Sequence, residues 1–306
     1  MGRAEEARLR RIKASLERRA LILDSIRTFF KREGFLEVDT PVLLPQVAPE
    51  QFIDPFAVGS WFLSTSPEMH MKRLLAAGYG DMFQITRCFR RGERGRLHNP
   101  EFTMIEWYRA GADYAKIIED TERLVLTAAG DLGLGHAIRY HGREIDLARP
   151  WPRTTVREAF LRSAGWDPVS QPDAERFDLD LVDRVMPAFP PDRPMVLMEY
   201  PAAGASMARL KPGDSAVAER AEVFIAGLEL ANVYSELTDA GELEQRFREV
   251  IRERGEGQRP LPESFLEAMA SLPACGGIAL GVDRLVMLLC DAASIDDVVA
   301  FPFDAA

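Results

Sequence analysis

"FQITRCFRRGERGRLHNPEFTMIEWYR", residues 83–109, sets two strand-like runs around a loop, 90–98, that carries Arg90, Arg91, Arg94 and Arg96. Before the loop Phe83, Ile85, Arg87 and Phe89 alternate with Gln84, Thr86, Cys88 and Arg90. After it Phe102, Met104, Glu106 and Tyr108 share one face by the two-residue period of a strand. The run predicts a hairpin whose second strand presents an aromatic ring, a carboxylate and a phenol in a row. A planar aromatic ligand could stack on Phe102 while a cation sits near Glu106 and Tyr108. Arg90 could set a bidentate guanidinium on a phosphate between them. The same pattern also fits an exposed hairpin tip, with Phe102 and Met104 as ordinary core residues.

The rest of the chain is acidic. Its 306 residues carry a net charge of −10, so a broad nucleic-acid footprint is not expected and the basic loop is expected to meet a small polyanion. Cys88, Cys275 and Cys290 are irregularly spaced, which fits a reducing compartment better than a disulfide framework or a zinc site. The charged N-terminal stretch lacks a signal-peptide core, and no apolar run reaches the length of a membrane span. A soluble, cytoplasmic protein is expected.

Around the hairpin, Leu9, Ile12, Leu16, Leu23, Ile26 and Phe30 recur at helical spacing over residues 4 to about 33, with Gly34 as the stop. FLEVDTPVL follows as an extended segment, WFLSTS (61–66) as a short strand, and Pro67 leads a helix through Leu75. Residues of about 150–192 read as a helical insertion, with capping-box spacing at Thr155 and Glu158. MVLMEY, AEVFIAG and LELANVYSEL read as strands, and LVMLLC as a closing helix. Helices mixed with hairpin-connected strands give an α+β fold, one domain over 1–306 built on an antiparallel sheet.

Two further stretches carry chemistry. In GGIALGVDRLVMLL, residues 276–289, glycines permit close backbone approach and Arg284 falls in the first turn of a helix, where a phosphate would sit at the positive end. Packing alone would explain the glycines equally. In ERAEVFIAGLELANVYSELTD, Glu219, Glu222, Glu229 and Glu236 lie within apolar, strand-like sequence and need partners if buried. Mg²⁺ or a ligand amine would serve, or some of them face solvent at a sheet edge.

Taken in order, these stretches resemble motifs 2 and 3 and the preceding strand of class II aminoacyl-tRNA synthetases, with TFFKREGFLEVDTPVL and its Pro41 as motif 1. HNPEFTMIEWY, SELTD and GVDR are closest to the lysyl subgroup, and the resemblance covers about 15–306. Lysyl synthetases carry an N-terminal anticodon-binding domain, for which this sequence leaves no room before motif 1. That is similar to the freestanding members that modify a lysine of elongation factor P. Ser66 stands where lysyl synthetases usually have Ala, and Ala279 where they usually have Gly. The family pattern Phe-Arg-Asn-Glu becomes Phe89-Arg90-Arg91-Gly92-Glu93, which moves the acid one position on.

The resemblance implies a class II synthetase catalytic fold and an ATP-dependent ligase that forms an aminoacyl-adenylate from lysine or β-lysine. Phe102 would stack on adenine, with Asn99, Glu93, Leu230 and Gly281 also at the nucleotide. Arg90 would hold the α-phosphate and Arg284 the γ-phosphate as the catalytic pair, with Glu222 and Glu229 on Mg²⁺. Glu68 and Glu106 would take the backbone-proximal amine and Tyr108 and Glu236 the distal one, with Ser66, Asn232 and Ala279 completing the amino-acid pocket. The implied acceptor is elongation factor P, the implied assembly a homodimer. Transfer to tRNA, or a silent paralogue, are the other readings; the acidic charge weighs against the first and the retained Arg90, Arg284, Glu222 and Glu229 against the second.

Overall fold

The computed structural model of the protein describes residues 2–256 and 260–305. Helix α1, Arg3–Arg32, buries Ile12, Ile22, Ile26 and Phe30 along one stripe. It stops where Gly34 takes φ +82° and the N–H of Phe35 returns to Phe30 O at 3.0 Å. This is the left-handed glycine stop expected from the sequence. Short strands β1 (Leu36–Glu37), β2 (Leu43–Leu44), β3 (Ala57–Val58) and β4 (Trp61–Leu63) lead to α2, Glu68–Ala76, which Pro67 caps. The strand expected over 61–66 ends at Leu63.

The quoted run forms the hairpin β5 (Met82–Phe89) and β6 (Glu101–Ala110). Next comes α3, Tyr114–Asp131, a helix the sequence patterning does not single out. After the small hairpin β7 (Ala137–Tyr140) and β8 (Arg143–Asp146), the segment expected to be helical opens on a strand, β9 (Arg153–Thr155), paired in parallel with the main sheet. Thr155 and Glu158 then close the anticipated capping box at the start of α4 (Val156–Ser163), and α5 (Ala174–Asp180) follows. Strands β10 (Met195–Pro201), β11 (Leu210–Lys211), β12 (Asp214–Ile225) and β13 (Leu228–Ser235) precede α6 (Ala240–Glu253) and α7 (Glu263–Met269). Strand β14 (Cys275–Gly281) runs directly into α8 (Val282–Cys290).

The main sheet runs β1-β5-β6-β14-β13-β12-β10-β9, with β11 alongside β12. It is antiparallel except for its β1–β5 and β9–β10 edges. One face is apolar: Phe83, Ile105, Trp107, Val223, Val233, Ile278 and Leu280 are buried against residues of α1, α3 and α8. Phe30 stacks on Phe83 at 4.8 Å and meets Trp107 at 5.0 Å, which fixes α1 across the sheet.

The opposite face carries the polar residues, and strand register aligns them. One row crosses the sheet as Gln84, Glu106, Ala279, Asn232 and Glu222; the next as Met82, Tyr108, Gly277, Tyr234 and Arg220. At a strand spacing of roughly 4.8 Å, Glu106 and Glu222 are about 14 Å apart, the reach of an extended small ligand.

Candidate active site

Arg90 sits where β5 enters the loop. Its Cζ lies 5.1 Å from the Phe102 ring centre, its Nε donates to Thr65 O at 3.4 Å, and Nη1 is 3.6 Å from Glu93. Burial works against the charge, but Glu50 and Glu93 outweigh it and hold the guanidinium more firmly protonated than usual. The other loop arginines are tied elsewhere: Arg91 to Asp54, Arg94 to Asp304, and Arg96 to Ala293 O. Much of the positive charge in the quoted run therefore fastens the loop, and Arg90 is the arginine left over the aromatic floor. Gly92 adopts φ +88°, a conformation a Glu side chain would strain. That accounts for the displaced acid, since Glu93 comes within ion-pair range of Arg90.

Asn99 is nearly buried. Its side chain donates to Glu101 O at 2.5 Å and accepts from Phe303 N at 2.9 Å, which leaves one N–H for a ligand. Arg284, in the first turn of α8, donates to Glu229 O at 2.6 Å, lies 3.7 Å from Glu229 Oε2 and meets His98 Nε2 at 2.6 Å. Burial, helped by Arg284, holds His98 below its ordinary pKa, so its ring is neutral and accepts. His98 has no place among the residues expected from sequence, although it stands in the HNPEF run beside Asn99.

A polar chain links this end to the middle of the sheet. Asn232 donates to Glu229 Oε1 at 2.7 Å and accepts from Arg220 at 3.1 Å, and Arg220 reaches Glu222 Oε1 at 2.6 Å. Burial raises the pKa of Glu222, Arg220 opposes that, and Glu229 adds to it. Two carboxylates that repel in this way fit a divalent cation whose other ligands are phosphate oxygens. No group of three or more His, Cys, Asp and Glu among the described residues could hold a metal. Leu230 is buried in the apolar core, so its side chain is not offered to the polar face. Gly281 is the N-cap of α8. Glu219 pairs with Arg209 at 2.7 Å and stands outside this chain.

The other end of this face is built from α2, β6 and Glu236, which follows β13 and bridges to Ala208. Glu106 accepts from Ser66 Oγ at 2.6 Å and from the Tyr108 hydroxyl at 3.0 Å. Burial, with Glu68 adding to it, pushes Glu106 up to about 8; burial pushes Glu236 up to about 7. Tyr108 is held well above its usual value by burial, so it remains a hydroxyl donor. Gly277 lies under this cluster: a Cβ there would fall 2.1 Å from Glu236 Oε1 and 2.5 Å from Tyr108 Cε1.

One residue at this end was not expected. Lys72, only 1% exposed, sits 2.5 Å from Glu68 Oε1 and 2.7 Å from Glu236 Oε2. The contact to Glu236 has the distance of an ion pair without hydrogen-bond angles. Lys72 thus supplies, from within the chain, a cation between Glu68 and Glu236. The signal available in sequence was the Glu68–Lys72 spacing of one helical turn. The open groove of about 700 Å³ between α2 and α7, lined by Asp39, His70, Arg73 and Glu267, contains none of these site residues.

A family model described as tRNA synthetases class II (D, K and N) matches residues 3–305. The chain is 41% identical over 313 residues to the elongation factor P–(R)-beta-lysine ligase of Salmonella gallinarum, covering 95% of this chain and 96% of that protein. The correspondingly named protein of Salmonella typhi is 38% identical over 328 residues, and that of Salmonella paratyphi A 41% over 317, each with the same coverage.

Proposed function

The chain belongs to the class II tRNA synthetases (D, K and N), and on that premise we propose that it is an ATP-dependent ligase which activates lysine or (R)-β-lysine and attaches it to a lysine side chain of elongation factor P. The observation that carries this reading is one polar sheet face with Arg90 over Phe102 at one end and buried carboxylates around Ser66 and Tyr108 at the other.

ATP lies on this face with its adenine on Phe102, Arg90 at the α-phosphate and Arg284 at the γ-phosphate. Glu222 and Glu229 would hold Mg²⁺, which neutralises phosphate charge when bound. The amino acid's ammonium groups meet Glu68, Glu106, Tyr108 and Glu236. Its carboxylate, already ionised at neutral pH, attacks the α-phosphorus in line; the bond to the bridging oxygen breaks and pyrophosphate leaves. Catalysis here is orientation plus charge stabilisation, with no general base. In the second step the acceptor's ε-amine attacks the acyl carbon, AMP leaves, and the amine gives up a proton as the amide forms.

We place the protein in the cytoplasm as a homodimer. Exposed Leu36, Leu43, Val58 and Trp61 on the short strands β1 to β4 support a partner surface. No helix among the described residues is long and apolar enough to cross a membrane. The test of acceptor choice is intact mass after incubation with ATP, the amino acid and either elongation factor P or tRNA. A lysyl-sized mass gain on elongation factor P is expected; acylated tRNA with unchanged protein would contradict the assignment.

A further inference from the structure

We infer that Lys72 sets the formal charge of the amine-binding end and thereby its preference for a ligand with two ammonium groups, an assignment that rests on the diamino-acid reading above. Lysine is almost never fully buried unless paired. Lys72 lies in mid-α2 among Met69, Met71 and Leu75, all buried in a second apolar core that also holds Tyr108, Leu243 and Phe265. Packing at such a position needs only an apolar stem, and a charge there is costly unless its surroundings use it.

Two carboxylates meet its ammonium and a third lies close by. Glu68 comes from the same helix, Glu236 from the turn after β13, and Glu106 of β6 feels Glu68 and Lys72 in turn. Tyr108, Tyr234 and the Cys275 thiol also lie within this field and stay protonated, and the guanidiniums of Arg90, which feels Glu106, and of Arg209, which Cys275 feels, stand at its margin. When a bound ligand draws all three carboxylates into the ionised form, they stand against one ammonium with a net charge of minus two. A diamino acid brings two ammonium groups, so the occupied pocket is neutral, and its carboxylate projects toward Arg90. Without Lys72 the pocket would hold one negative charge too many, and a buried carboxylate would have to take up a proton before the ligand could sit.

Lys72 also fixes geometry before any ligand arrives. Its ammonium has three donors, and it holds Glu68 and Glu236 against one nitrogen. Each carboxylate keeps a second oxygen for the ligand. Lys72 is thus a positioning and specificity-determining residue that acts through Glu68 and Glu236.

The test compares Lys72→Met, which keeps the stem and removes the charge, with Lys72→Arg, which keeps the charge. ATP–pyrophosphate exchange is measured with lysine isomers at pH 6.5 and 8.5. Lys72→Met is expected to raise the amino-acid KM at least tenfold at pH 8.5, and less at pH 6.5, where protonation of a carboxylate replaces the missing counter-charge. The KM for ATP should stay within about threefold, and Lys72→Arg should recover most of the loss. If Lys72→Met does not fold, Lys72→Gln takes its place. An unchanged amino-acid KM, an equal loss in both KM values, or an arginine variant as poor as the methionine variant would overturn the inference. Wild-type protein that exchanges pyrophosphate with no diamino acid would instead refute the proposed function itself.

Discussion

Arg90 is held by few contacts for the role proposed for it. Its guanidinium rests on one carbonyl, the charges of Glu50 and Glu93 and an aromatic face, none of them an apolar core contact, so losing it should leave the fold standing. Arg90→Ala is expected to keep wild-type thermal stability within a few degrees while pyrophosphate exchange falls at least a hundredfold. Such a loss corresponds to about 3 kcal/mol, a typical value for a charged contact made in the transition state. Near-normal exchange in the folded variant would remove Arg90 from the phosphate site. Ala279 poses a steric question, because its register partners are Glu106 on one side and Asn232 on the other. Its methyl stands on the pocket floor between the amine-binding end and the middle of the sheet. Ala279→Gly should raise kcat/KM for α-lysine relative to β-lysine, whose amine sits one carbon along; an unmoved ratio would show that the methyl does not sense the isomer.

At the level of elements, β14 joins both halves of the site: Gly277 supports the carboxylates and Gly281 caps the helix that carries Arg284. A Cβ at position 277 meets the movable end of Glu236 but also the Tyr108 ring, which is packed in the second core. Gly277→Ala should cost roughly 1–3 kcal/mol of stability by overpacking and raise the amino-acid KM tenfold or more, with the KM for ATP little changed. Equal KM values for both substrates, wild-type and variant, would place the ligand elsewhere. Helix α1, the β5–β6 hairpin and the β14–α8 turn were legible in the sequence because their periodicity and stop residues act locally. Helix α3 was not singled out, although Asp113 caps it and Ile117, Ile118, Leu124 and Val125 mark its buried side. Glu229 and Asn232 illustrate what local pattern cannot give. Three residues apart on a strand, they should face opposite ways, yet they hydrogen-bond at 2.7 Å. The register shift at Val223 and Phe224 turns both to the polar face. Lys72 escaped for a similar reason: its pairing with Glu236 exists only once α2 has packed beside the end of β13.

For the molecule as a whole, the amine-binding end makes stability depend on pH in an unusual sense. Glu106 and Glu236 have folded values of about 8 and about 7, above the ordinary carboxyl range, mainly through burial. Between the ordinary value and these, the folded chain holds more protons than the unfolded one, so the stabilisation present at low pH is lost as pH rises through 7 and 8. The unliganded protein should therefore melt at a lower temperature at pH 8.5 than at pH 7, and Glu106→Gln should flatten that fall. Bound lysine should flatten it too, since its ammonium groups favour the ionised carboxylates. A melting temperature that rises across this window in the unliganded protein would contradict the account of the pocket. The face of the sheet, the fixed loop and the carboxylate cluster all converge on one chemical claim, adenylation of a diamino acid. The most direct test is ATP–pyrophosphate exchange by the purified protein with lysine, (R)-β-lysine, norleucine and leucine. Exchange with the two diamino acids at least a hundredfold above that with the two monoamino acids is predicted; comparable rates with norleucine, or no exchange with any of the four, would contradict it.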